Sequence, residues 1–253
     1  MEDTIISEGL VPVFLGLLRF IPVFVFAQPF ASIPAPATVR VALGAGLAVG
    51  AGAMTIEGTP SLNAGELLNA VFGELFLSLV LIVILNIAFG SVFFIGRVLD
   101  VQAGFGLATV LNPASREQQP LIGTILSVGA AVIFFSAGGG QAFVRLAHEV
   151  AERVPFGAYR LAFDPNLLAQ FAAYCYLNAI QFGSAAILAF FVADWCLAFL
   201  SRVVPQLNVL VLSIQIKAAL LLGILAATIP VLLPLVMRLS NEAIRVILSV
   251  AKT

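Results

Sequence analysis

Charge is what this sequence has least of. Only 12 basic and 13 acidic residues are spread over 253 positions, 10% of the chain, where an ordinary soluble domain carries about 25%. The two signs nearly balance and no basic cluster exists, which argues against a nucleic-acid partner, because phosphate binding needs a positive patch. Histidine is scarcer still. His148 is the only one, so a metal site or a Ser-His-Asp arrangement would lack its parts. The two cysteines, Cys175 and Cys196, share one apolar stretch with no CxxC spacing; both are expected as buried free thiols, and neither reveals the redox compartment. Gly44-Ala45-Gly46 and Gly104-Phe105-Gly106 lack the third glycine and the flanking strand of a dinucleotide loop. No catalytic residue, cofactor or metal is expected, and the chain is read as a non-enzyme. Basic residues are also missing from the first positions, where Glu2, Asp3 and Glu8 are acidic and Pro12 and Pro22 interrupt the apolar run. A secretory signal has the opposite charge, so this segment is expected to be retained as a helix.

What fills the chain instead is apolar: 61% of residues are hydrophobic and the mean hydropathy is +1.12. Uncharged runs approach the roughly 20 residues that a helix needs to cross a hydrocarbon core. Six such segments are expected, over about 10–26, 41–56, 64–96, 121–135, 166–200 and 209–237. They predict an all-α, polytopic membrane protein of kinked helices and helical hairpins, organised as one membrane domain over residues 1–253. No length is left for a soluble catalytic domain. Pro29, Pro34 and Pro36 forbid regular helix between the first two segments. In the second, Gly44, Ala48 and Gly52 recur at every fourth position, as do Gly46 and Gly50. These small residues form two adjoining stripes where another backbone can approach closely. Asn63 and Glu66 suit the start of the third helix. Pro230 and Pro234 are expected to kink the last one.

The polar exceptions carry the candidate sites. The longest polar loop starts in the string Arg97, Asp100, Gln102, Gly104, Gly106 and continues through Asn112, Pro113, Arg116 and Gln118 to Pro120. Irregular backbone at membrane depth is tolerated where it is buried in protein or lines a water-filled cavity, so this loop is read either as a plug or gate or as a connector. Between 141 and 154 the pattern turns amphipathic. Arg145, His148, Glu149, Glu152 and Arg153 share one face and Phe143, Leu146, Val150 and Val154 the other, which predicts a short amphipathic helix at an interface or against a partner, with Arg145–Glu149 and Glu149–Arg153 pairs. Folding the last two segments as a hairpin about Pro205, Gln206 and Asn208 brings Asp194 within about one turn of Lys217. A buried ion needs a partner, so these two are expected to form a structural ion pair, with Arg202 as a possible third member. A proton or substrate relay, as in a secondary transporter, is the alternative.

Several of these residues together resemble the R/T-subunit family of type III export-gate proteins, flagellar and virulence-type. The resemblance rests on Arg19 with Pro22 and Phe24; on Pro36 leading into Val39-Arg40-Val41-Ala42-Leu43; on Asp100 to Gly106 with the later Asn112-Pro113; and on Arg202 before Pro205-Gln206-Leu207-Asn208-Val209, followed by Lys217. It covers nearly the whole chain. Where such proteins often continue Gly-Gly into histidine, this chain has Gly138-Gly139-Gly140-Gln141. The resemblance implies a subunit that assembles with P- and Q-type export-gate subunits, alongside the B- and A-type export membrane proteins, in the bacterial inner membrane at the flagellar basal body. The assembly would pass unfolded flagellar proteins out of the cytoplasm, energised by the associated ATPase and the proton-motive force. It also implies that the polar loop, with Gln102, Gly104, Gly106, Asn112, Pro113, Arg116 and Gln118, plugs the closed pore. Arg40, Asp194, Arg202, Pro205, Gln206, Asn208 and Lys217 would serve packing. The virulence-type system is the alternative setting.

Overall fold

The longest uncharged runs become the longest helices. A computed structural model describes residues 2–54, 64–105, 120–158, 164–204, 206 and 208–251. Among them are seven α-helices and no strand: α1 (Glu2–Phe26), α2 (Ala37–Met54), α3 (Ala64–Ala103), α4 (Leu121–Ser136), α5 (Gly139–Arg153), α6 (Pro165–Val203) and α7 (Val209–Val250). The all-α expectation holds, and the six apolar segments correspond to all of these helices but α5. They are unequal, however. Among the described residues only α3, α6 and α7 are each long and apolar enough to span a membrane, and α4 with α5 makes a fourth candidate bent by 73°. At 40, 39 and 42 residues the three long helices reach about 58–63 Å at about 1.5 Å per residue, roughly twice a hydrocarbon core.

Two helix ends lie beyond the apolar runs that announce them. α3 passes Gly96 and Arg97 to end at Ala103, because Leu99, Asp100 and Ala103 are all buried. α7 runs through Pro230 and Pro234 and past Met237 to Val250. Its last turns bury Leu239, Ala243, Val246, Ile247 and Val250, a 3.6-residue stripe that carries the helix on after continuous apolarity stops. α1 likewise continues through Pro12 and Pro22. Helices packed on neighbours tolerate the lost hydrogen bonds.

α3 is the central element, packed against α1, α4, α6 and α7. Its most apolar window is 56% buried, against 22% for α6 and for α7, so the last hairpin leaves most of its surface bare. Two close approaches set the frame. A Cβ on Gly96 of α3 would lie 2.6 Å from the Gly123 Cα of α4, so the helices cross backbone to backbone. The α4–α5 bend needs Gly138 at φ +84° and Gly139, where a Cβ would strike the Phe134 ring at 2.5 Å. On α5 the apolar face is buried as its periodicity predicts, through Phe143, Leu146, Val150 and Val154. Arg153 pairs with Glu149 and His148 with Glu152. The expected Arg145–Glu149 pair does not form, since Arg153 takes that carboxylate. Cys175 is buried but Cys196 is exposed, against the expectation for both, because α6 turns only one face to the chain.

Candidate functional site

The ends of the polar loop are held by two contacts that reach across the fold. α3 stops where Gly104 takes φ +88° and the amide of Phe105 donates to the Asp100 carbonyl at 3.1 Å, the 6→1 bond of a Schellman stop. The Asp100 side chain is 4% exposed and points at the start of α4. Its carboxylate accepts from the amides of Ile122 at 3.0 Å and Gly123 at 3.1 Å. Pro120, the residue before α4, offers no capping side chain, so a buried anion from α3 does the work of the N-cap and complements the helix dipole. The other end is held from α7: Lys217 Nζ donates to the Gln102 carbonyl at 3.1 Å. Gln102 Oε1 is buried with no hydrogen-bond partner. Gly106, Asn112, Pro113, Arg116 and Gln118 lie outside the described residues.

Lys217 also meets the expected carboxylate. Its Nζ lies 2.6 Å from Asp194 Oδ1, with the lysine side chain 15% exposed and the aspartate 54%. The hairpin geometry thus brings both residues together, on a surface rather than in a sealed core. Arg202 is exposed in the last turn of α6 and has no ion pair among the described residues. Gln206 is exposed in the turn, Asn208 caps α7 by accepting from the Val211 amide at 3.4 Å, and Pro205 lies outside the described residues. Arg40 holds the first hairpin instead: it donates to the carbonyls of Val25, at 3.3 Å, and Ala35, at 3.0 Å from Nη2, covering the unsatisfied end of α1.

One constellation escaped sequence reasoning. Arg19 and Glu74 are both fully buried, with Nε to Oε2 at 2.5 Å and Nη2 to Oε1 at 2.8 Å. Arg19 Nη1 also donates to the Val154 carbonyl at 2.9 Å, the Gly157 amide donates to Glu74 Oε1 at 2.8 Å, and the guanidinium lies 4.5 Å from the centroid of the Phe156 ring. This bidentate pair joins α1, α3 and the segment after α5. The available signal was an arginine and a glutamate each alone inside an apolar run, where a charge needs a partner.

Among the described residues no group of His, Cys, Asp or Glu could hold a metal ion. The described helices hold the two ends of the polar loop and leave most of the last apolar hairpin bare. The profile of a family described as "Bacterial export proteins, family 1" matches residues 10–243. The chain is 25% identical over 211 residues to flagellar biosynthetic protein FliR of Escherichia coli strain K12, covering 80% of this chain and 79% of that one. It is 28% identical over 223 residues to FliR of Bacillus subtilis strain 168, covering 83% of each. To secretion system apparatus protein SsaT of Salmonella typhimurium it is 30% identical over 166 residues, 64% of each chain. With the match running through all seven helices, this chain belongs to the bacterial export proteins of family 1.

Proposed function

We propose that this chain, as a single membrane domain over 1–253, is a structural and gating subunit of the flagellar type III protein export channel in the bacterial inner membrane. The single observation that carries the reading is the length of bare apolar surface on the last hairpin. On α6, exposed Tyr174, Leu177, Ile180, Leu188, Phe191, Trp195, Phe199 and Val203 lie along one side, a stripe of about 44 Å at about 1.5 Å per residue. Lipid tails cover about 30 Å. The remainder calls for protein, which supports assembly with P- and Q-type subunits beside the A- and B-type export proteins, around unfolded flagellar substrates. Co-purification with P- and Q-type subunits as one complex is the expected result; a stable, transport-active monomer would overturn it. The likeness to SsaT favours the virulence-type counterpart as a second reading. Recovery with purified flagellar basal bodies decides between the two.

The pinned loop supports a plug. Gln102 and Gly104 would form its base and Gly106, Asn112, Pro113, Arg116 and Gln118 its body, and the loop must leave the path when substrate enters. Deleting residues 112–119 should raise passive leakage of small solutes through the assembled complex. An unchanged leak removes the loop from the gating account. The Asp194–Lys217 pair serves packing in this reading. Asp194→Asn with Lys217→Gln should impair assembly or let the gate leak; loss of ion coupling with assembly intact would instead make the chain a transporter.

A further inference from the structure

Between α2 and α5 the fold leaves an open groove of about 950 Å³, near the top of the roughly 300–1,000 Å³ range of small-molecule sites. Its floor is aromatic: Phe24, Phe30 and Phe143 pack tilted or edge to face, with centroids 4.5–5.5 Å apart. Along α2 the wall is hollow, because a Cβ on Gly46 or on Gly50 would meet nothing within 4 Å. The other small stripe of α2 is already occupied. There a Cβ on Gly44 would lie 2.9 Å from the Ile21 Cα of α1, and Ala48 is fully buried. One stripe therefore packs the hairpin and the other is left to an occupant.

The charged side chains that line this groove among the described residues are arginines. Arg40 comes from the α2 wall and Arg145 from the α5 wall, beside His148, and among the described residues no carboxylate lines it. His148 faces Glu152 on its own helix at 3.2 Å. Arg40 donates only to backbone carbonyls, and Arg145 has no partner among the described residues. Two guanidiniums, one from each wall, thus stand beside apolar surface without a counter-charge among the described residues. A planar guanidinium fork matches a phosphate. The rest of the lining is apolar and offers a peptide no hydrogen-bonding side chain.

We propose that this groove binds an anionic phospholipid, its acyl chains against the phenylalanine floor and the Gly46–Gly50 wall, its phosphate between Arg40 and Arg145. The assignment needs only that the chain sit in a bilayer and stands apart from the export-gate reading. The test is labelling of the membrane-extracted full-length protein, in its complex, by phosphatidylglycerol carrying a photoactivatable acyl chain, with the phosphatidylcholine analogue as comparison and peptide mapping as readout. Phosphatidylglycerol should label residues 40–51 and 135–148 in preference to phosphatidylcholine. Arg145→Gln, at an exposed position, should lower that labelling about fivefold, from the usual worth of one arginine near an anionic surface, while labelling of α6 stays constant. Gly46→Leu should fill the groove and lower it as well. Equal labelling by both headgroups, or no change in Arg145→Gln, overturns the proposal. So does a cross-link from a photoreactive residue at Leu43 to another subunit, which gives the groove to protein.

Discussion

Replacing Glu74 with alanine should destabilise the folded chain by about 3–5 kcal/mol, the range for stranding one partner of a buried ion pair. Arg19 would keep its bond to the Val154 carbonyl and its place over Phe156, but its charge would be uncompensated in a site with no solvent access. The Gly157 amide would lose its acceptor. Because these groups tie α1 to α3 and to the segment after α5, the loss should show as poor accumulation in membranes and a lower melting temperature of the purified complex. Joint replacement, Arg19→Met with Glu74→Leu, should recover much of the stability, since apolar residues of similar volume often substitute for a buried pair without loss. If the single variant accumulates and melts like the parent, the network is not what holds the N-terminal hairpin.

Asp100→Ala should have the second largest effect, through the gate rather than the whole fold. It leaves the buried amides of Ile122 and Gly123 without an acceptor, at about 1–3 kcal/mol for each, and removes a negative charge from the start of α4. The crossing at Gly96 and Gly123 sits immediately beside these bonds, so α4 should loosen at its first turn and the loop with it. Solute leakage through the assembled complex is expected to rise. Asp100→Asn, which keeps an acceptor oxygen but not the charge, should leak less. An Asp100→Ala complex that is as tight as the parent would mean that loop closure does not depend on this anchor.

Much of this molecule could be read from residue order. Apolar segmentation located the helices, and the 3.6-residue alternation of α5 identified its buried face residue by residue. The Asp194–Lys217 contact was within reach because both residues belong to one hairpin, where counting outward from a turn gives the register. The ends of α3 and α7 were not, since each is maintained beyond its continuous apolar run by residues that are buried only once the neighbouring helices are in place. Arg19 and Glu74, 55 positions apart, and Asp100 and Ile122, 22 apart, sit in different helices, and no spacing rule connects them.

Hydropathy adds up along a chain whatever its neighbours do, and for that reason sequence alone determined the membrane character, the all-helical class and the amphipathic face of α5. Which charges meet, which stripe of α2 is covered and which stands open, and what holds the polar loop were decided by tertiary structure. Those outcomes depend on where helices cross, and a crossing such as Gly96 on Gly123 is a property of two distant segments together.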